Sequence, residues 1–320
     1  MRALITGISG FVGSHLAEHL LDLGTWTVAG TVYGGAENIA HLRDHLELYE
    51  AELSGLETVR NIVVDSRPDA IFHLAAQPLP SLSRIDPWFT LENNIRLQLN
   101  VLEAVKQVAP KAAVLVVGTS EEYGQVNEAD LPLREDAPLR PTSPYGVSKI
   151  AQDFLGLQYH LSHGLRIVRV RPFNHLGPRQ RRGFVAPDFA SQIAEIEAGL
   201  RPPLMTVGKL DVARDFSDVR DIVRGYVLAL MQGEPGEVYN LGACSAHTVR
   251  QLLDLLLARA NASIEVRQDP ERMRTIDTPK IVADCSKLRR RTGWQPRIPF
   301  EKTLADVLDY WRAQVQTEGR

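Results

Sequence analysis

Short apolar runs alternate with segments of helical period through the first half of the chain. Ala3-Leu4-Ile5 is the first such run, and after it Val12, Leu16, Leu20 and Leu23 recur on one helical face. Thr27 to Val32, Ala70 to Leu74, Ala113 to Val117 and Leu165 to Val170 have the length and composition of buried strands. Helices are predicted between them, over Asn94 to Val108 and Pro144 to Ser162. This is the rhythm of repeated βαβ units, so the predicted class is α/β with a doubly wound parallel sheet.

The rhythm changes after Arg171-Pro172. Loops rich in Gly, Pro and Arg (Gly177 to Gly183, Arg201-Pro202-Pro203) separate a helical stretch at Val185 to Ala198 from the later elements. They predict a second, smaller lobe towards the carboxyl terminus. Its segments are discontinuous, because Val219 to Met231 reads as a helix that returns to the first domain. Val249 to Arg259 and Phe300 to Val315 are amphipathic helices further on. The division expected is a nucleotide domain over 1–171 with a returning segment near 213–240. The substrate lobe then takes 172–212 and 241–320.

At 320 residues the chain can bury a sizeable core, and with 44% hydrophobic and 23% charged residues it is an ordinary folded sequence. Its net charge of -3 gives no general basic field for nucleic acid or an anionic membrane, so any anionic ligand must be held locally. No apolar stretch approaches the ~20 residues that cross a bilayer, and the amino terminus has no secretory signal, so a cytoplasmic location is expected. Two cysteines, Cys244 and Cys285, support neither a disulfide framework nor a zinc site, and both read as inert core thiols. Arg289-Arg290-Arg291 reads as a solvated helix end.

Thr6-Gly7-Ile8-Ser9-Gly10-Phe11-Val12-Gly13 places Gly7, Gly10 and Gly13 at three-residue spacing between a strand and a helix. Without side chains there, the backbone can approach a pyrophosphate that sits among unpaired N–H groups at the helix start. A glycine triplet can also be only a tight turn; its βα setting makes dinucleotide binding on a Rossmann sheet the better reading. The end of the second strand, Gly30 to Gly35, carries neither an acid for a ribose diol nor an Arg for a 2′-phosphate. Glu37 comes slightly late. NADP(H) is the expected cofactor, with NAD(H) as the alternative.

Pro144-Tyr145-Gly146-Val147-Ser148-Lys149 puts a phenol and an ammonium one helical turn apart. A cation there would stabilise the phenolate and bring Tyr145 towards neutral pH, fitting it to exchange a proton with a substrate oxygen as hydride moves at the adjacent carbon. The alternative is a surface Tyr beside a solvated Lys; the glycine loop upstream weighs against it. Gly118-Thr119-Ser120-Glu121-Glu122-Tyr123-Gly124 follows a strand at its carboxyl end, where open α/β sheets place ligands. Thr119 offers a hydroxyl to share the substrate oxygen, and Glu121 a carboxylate that acts as a base or holds a sugar hydroxyl.

Together these residues resemble the extended short-chain dehydrogenase/reductase family, in its GDP-sugar branch, over nearly the whole chain. The landmarks are TGISGFVG, FHLAAQ at Phe72 to Gln77, Asn94, GTSEEYG, SPYGVSK, RPFNHLGPRQ at Arg171 to Gln180, ARDFSDVRDI at Ala213 to Ile222, VYNLG at Val238 to Gly242 and TGWQPRIPFEKTL. The resemblance implies a cofactor site at Gly7, Gly10, Phe11, Val12, Gly13, Glu52, Leu53, Leu74, Ala75 and Ala76, together with Tyr145 and Lys149. It implies a sugar-nucleotide site at Ser120, Glu121, Asn174, Arg179, Val185, Lys209, Arg214, Arg274 and Asp277, with Asn174, Arg214 and Arg274 on the diphosphate. Glu52 stands where the family commonly has Asp, Lys209 where it has Asn, and Thr275 where it has Pro.

The activity implied is NAD(P)H-dependent reduction of the C4 ketone of a GDP-4-keto-6-deoxyhexose, giving a GDP-D-rhamnose-type product, with Thr119, Tyr145, Lys149 and Glu121 at the reacting centre. The neighbouring activity is 4,6-dehydration of GDP-mannose, with Glu121 taking the C5 proton and the cofactor recycled. The absence of that relative's arginine loop after strand two points to the reductase. A dinucleotide-sensing protein without catalysis is a third reading, and intact Thr119, Tyr145 and Lys149 speak against it. Relatives also pair through their two long helices. Here Leu97, Leu99, Leu102, Phe154, Leu155, Leu157 and Tyr159 suggest a second buried face on those helices, hence a homodimer.

Overall fold

A computed structural model describes residues 1–269 and 278–318. The sequence positions Arg274 and Asp277 lie outside the described residues. The large sheet has seven parallel strands: β1 (Arg2–Thr6), β2 (Thr27–Val32), β3 (Leu46–Glu50), β4 (Ala70–His73), β5 (Ala113–Val117), β6 (Ile167–Pro172) and, much later in the chain, β10 (Val238–Leu241). Their order is β10-β6-β5-β4-β1-β2-β3, so the sheet runs outward in both directions from β1 and β4. The gap between those two strands is the point where the winding reverses, and doubly wound sheets open their ligand crevice there.

Alternate residues of the central strands enter opposite layers, which is why the strands are apolar throughout. Ala3, Ile5, Phe72, Leu115 and Val168 face α1 (Phe11–Asp22) and α7 (Val219–Gln232). Leu4, Ile71, Val114, Val116 and Ile167 face α2 (Leu56–Ser66), α4 (Pro87–Val108) and α5 (Pro144–His163). The helix expected from Asn94 begins earlier, at Pro87. Asp86 caps it by accepting from the Phe89 N–H at 2.9 Å, and a proline at the first position suits a helix start. A short helix, α3 (Pro80–Ile85), precedes it.

The lobe has its own core. Helices α6 (Val185–Glu197), α8 (Val249–Leu257) and α10 (Phe300–Glu318) close over Met205 and Val207 of β8 (Leu204–Val207), burying Leu252, Leu253, Leu304, Val307 and Leu308. Strand β12 (Glu265–Gln268) pairs with β8. A three-stranded sheet joins β7 (Asn174–Leu176), β9 (Ala213–Asp218) and β11 (Ala246–Thr248). The chain thus returns to the large sheet only from α7 onward, and β9 stays with the lobe. Helix α9 (Ser286–Thr292) packs near β10 and α7.

Candidate active site

The glycine loop is built for close approach. Gly7 has φ +71°, and a Cβ there would stand 3.1 Å from backbone atoms of Ala75; a Cβ on Gly13 would collide with the Gly7 carbonyl oxygen. Gly10 precedes α1 with no side-chain cap, so the amides of Phe11, Val12 and Gly13 open the helix towards the crevice. These features fit a dinucleotide diphosphate: a cradle that side chains would fill, at a positive helix end. The Phe11 ring lies against His175 of β7 at 6.0 Å and edge-on to His15 at 5.6 Å, tying the loop to the lobe. Leu53 is buried beneath α2 and α4 while Glu52 is exposed, so within that pair only Glu52 projects a side chain to solvent.

The loop after β4 is pinned to β1. Thr6 accepts hydrogen bonds from the Leu74 and Ala75 N–H groups at 3.1 and 3.2 Å, so its own proton goes to His73 Nδ1 at 2.8 Å. Burial, aided by the Lys149 charge, holds His73 neutral, with a pKa pushed down to about 3. Fully buried Asn94 reaches from α4, accepting from the Gln77 N–H at 2.8 Å and donating to Gln77 O and Ser148 Oγ. Thr6, His73 and Asn94 were not assigned roles from the sequence. Their signal was present in the FHLAAQ and Asn94 landmarks, but their contacts lie across distant segments.

Helix α5 starts at Ser143, whose hydroxyl accepts from the Gly146 N–H at 3.1 Å, with Pro144 at the first position. A Cβ on Gly146 would stand 2.8 Å from the Glu121 carbonyl oxygen, so glycine lets this first turn rest on the Thr119 to Glu122 turn. That contact brings Tyr145 close enough to Thr119 for the Thr119 side chain to pull the phenol's pKa down. Thr119 also begins a capping box: its hydroxyl accepts from Glu121 N–H, and Glu122 Oε1 accepts from Thr119 N–H at 2.8 Å.

The electrostatics differ from the sequence expectation. Tyr145 is not brought towards neutral pH by Lys149; burial first, then the Glu121 carboxylate, push the phenol well above its ordinary range, with the Thr119 side chain opposing them. Lys149 donates to the Val117 carbonyl oxygen at 2.9 Å, and burial lowers its ammonium to about 8 against the attraction of Glu122. Tyr145 is therefore held towards its neutral phenol form.

Beneath this turn lies a charge network that sequence reasoning did not anticipate. Glu122, fully buried, stands 2.9 Å from Arg171 Nε; Arg171 reaches Asp153 at 2.6 Å, and Asp153 reaches Arg169 at 2.8 Å. Burial and the like charge of Asp153 raise Glu122 to about 8. The charges of Arg169, Asp153 and Arg171 are held by their pairing, and with Glu122 these groups form the floor under Thr119 and α5.

On the lobe, Asn174 is exposed at the start of β7, beside β9, which carries half-buried Arg214. Arg214 donates to the carbonyl oxygens of Ala213 and Thr278 at 2.9 and 2.8 Å. Val185 opens α6, Lys209 is exposed, and Ser120 is buried in the Thr119 to Glu122 turn. Arg179 is paired within the chain. Its guanidinium grips both oxygens of Glu18 on α1 at 2.7 and 2.5 Å and contacts His15 Nδ1 at 2.7 Å, so it ties the loop after β7 to α1.

A seven-stranded parallel sheet, a glycine loop at its reversal point and a buried Tyr-Lys pair beside a Thr define an extended short-chain dehydrogenase/reductase. The family model for GDP-mannose 4,6 dehydratase matches residues 4–307, and the chain belongs to that family. It is 36% identical over 318 residues to the GDP-6-deoxy-D-mannose reductase of Pseudomonas aeruginosa, covering 99% of both chains. It is 29% identical to the GDP-mannose 4,6-dehydratase of Yersinia enterocolitica, over 96% of this chain and 92% of that one. Among solved structures, the RMD protein of Pseudomonas aeruginosa complexed with NADPH superposes with a TM-score of 0.86 at 33% identity, over 98% of this chain and 99% of that one. A Thermus thermophilus UDP-glucose 4-epimerase complex with NAD gives the same TM-score at 31% identity, with the same coverage.

Proposed function

We propose that this chain reduces the C4 ketone of a GDP-4-keto-6-deoxyhexose with NADPH, NADH being the alternative donor. The observation that carries the reading is the buried Tyr145 and Lys149 beside Thr119 at the carboxyl edge of the sheet, in a chain alike over its full length to a reductase. A phenol held towards its neutral form suits the step, in which the ketone oxygen takes a proton. Full-length likeness to a GDP-6-deoxy-D-mannose reductase supports the substrate class. The dinucleotide, when bound, supplies the hydride. Thr119 and Tyr145 would hold the ketone oxygen, Tyr145 protonating it, while Lys149, fixed on Val117, orients the helix turn between them. Asn174 and Arg214 would take the nucleotide diphosphate from the lobe side.

One observation favours dehydration as a second reading: Glu121 stands close enough to Tyr145 to raise its pKa, so a carboxylate is at hand for a C5 proton. Wild type and Glu121→Gln, each given the keto sugar with NADPH and GDP-mannose with NADP⁺, separate the two. The expected result is keto-sugar reduction by both proteins. Conversion of GDP-mannose without net cofactor reduction, lost in the variant, together with no keto-sugar reduction by either, would establish the dehydratase instead.

The same reading includes a cytoplasmic homodimer through α4 and α5. Leu102 and Tyr159 are buried in the monomer core, but Trp88 (71% exposed), Phe154 (51%) and Leu161 (73%) stand on the outer faces of these helices. Among the described residues no helix is long and apolar enough to cross a membrane. Sedimentation at micromolar concentration is expected to give a dimer; a monomer alone would remove this part of the reading.

A further inference from the structure

Neither cysteine is used by the proposed reaction, yet the fold brings the two together. Cys244 follows β10 in a loop and is half-buried; Cys285, immediately before α9, is 2% exposed. Their sulfurs lie 3.7 and 3.5 Å from one acceptor, the Gly242 carbonyl oxygen, which sets the two thiols side by side. One carboxylate holds both segments in place. Asp215, fully buried, accepts from the N–H groups of Ala243 at 2.6 Å and Cys244 at 3.0 Å on one side, and of Ala283 at 3.0 Å on the other. Cys244 has φ +57°, a left-handed conformation unusual for a residue with a side chain, held here by those bonds.

The two thiols differ in the way an attacking and a resolving sulfur must differ. The neighbouring Cys285 thiol draws Cys244 below its usual range against burial and the Asp215 charge, with Arg289 helping, while Cys285 is held well above the range. The less buried cysteine is thus the more readily ionised one. Cys285 is a core thiol as expected, whereas Cys244 is only half-buried.

We propose that Cys244 and Cys285 form a peroxide-reactive dithiol site that closes to a reversible intramolecular disulfide. The Cys244 thiolate attacks one oxygen of hydrogen peroxide, the O–O bond breaks, and hydroxide leaves to be protonated to water, giving a sulfenic acid. The Cys285 sulfur then attacks the Cys244 sulfur; the S–S bond forms, the S–O bond breaks, and the departing hydroxide leaves as water with the Cys285 proton. Two thiols are oxidised by two electrons, and one peroxide is reduced to two waters.

The test treats the full chain with excess hydrogen peroxide under native conditions and reads intact mass, thiol titre and non-reducing electrophoresis. The expected product is a monomer-sized chain lighter by two hydrogens, with neither of its two thiols titratable and both restored by dithiothreitol. Cys285→Ser should instead accumulate a sulfenic acid at Cys244 that dimedone traps, and Cys244→Ser should leave Cys285 unmodified. Thermal melts of both variants establish that they fold. Retention of two titratable thiols in the wild type, a disulfide between chains, or modification of Cys285 in Cys244→Ser would each overturn the proposal.

Discussion

The carboxyl edge of the large sheet and the facing surface of the lobe are constructed differently. On the sheet side the candidate chemical groups are buried and mutually bonded: Tyr145 and Lys149 are 8% and 6% exposed, and Thr119 is tied at both its hydroxyl and its amide. On the lobe side Asn174 and Lys209 are exposed and Arg214 is half-buried, reaching backbone carbonyls. Reaction groups need fixed geometry and tuned proton affinity, which burial and short hydrogen bonds provide. Groups that hold a large polar ligand can wait in water and be ordered by it. The contrast predicts that turnover depends on the sheet edge and substrate affinity on the lobe.

Tyr145→Phe gives the sharpest test. The ring still fills its buried site, so NADPH affinity measured by fluorescence titration should stay near that of wild type. Turnover should fall by about 10²- to 10⁴-fold, the range for loss of a general acid. A variant with wild-type turnover would place the proton donor elsewhere and dissolve the contrast.

Arg214 and Arg179 are both arginines on the lobe side of the crevice, and they should respond in opposite ways. Arg214→Ala should raise the KM for the sugar nucleotide about 10- to 100-fold with little change in kcat, as expected for a charge-assisted contact to a diphosphate. Arg179→Ala should leave KM largely alone and lower stability by about 1–3 kcal/mol, because a charged hydrogen-bonded partner is removed from Glu18. Burial alone would raise the Glu18 carboxyl, but His15 and Arg179 hold it well below the usual carboxylate range. Denaturant midpoints beside steady-state kinetics measure both effects. A KM increase for Arg179→Ala matching that of Arg214→Ala would return Arg179 to the substrate site.

The same division marks what the chain made legible. Continuous apolar runs and helical period placed the central strands and long helices, because burial on both faces leaves that pattern in the residues themselves. Strand β3 was missed: Leu46–Glu50 lies at the sheet edge with Glu47 and Glu50 exposed, so its run is not uniformly apolar. The glycine loop and the Tyr-Lys spacing are local, so they could be read directly. The proton affinity of Tyr145 could not, since it depends on Glu121 and on burial under a turn some twenty positions earlier in the chain. The ion pair of Arg179 was out of reach for the same reason: its partner Glu18 is 161 positions away. Nothing in the sequence links Cys244 to Cys285 until Asp215 is seen holding both segments.

His73 gives the smallest effect and tests whether the sheet edge is rigid apart from catalysis. Its folded pKa is about 3 against an ordinary 6.5, with burial the first cause. Between those values the unfolded chain binds a proton that the folded chain does not, so stability falls as pH drops below 6.5 and goes on falling towards 3. Near pH 5 the loss from this one residue is about 2 kcal/mol. Asn at position 73 keeps an acceptor for the Thr6 hydroxyl and cannot titrate. His73→Asn should therefore lose less stability than wild type between pH 6.5 and about 5 in urea titrations, whatever its stability at neutral pH. Equal acid slopes for the two proteins would mean that His73 is protonated in place, and that the bracket joining β1 to the loop after β4 yields where the contrast requires it to hold.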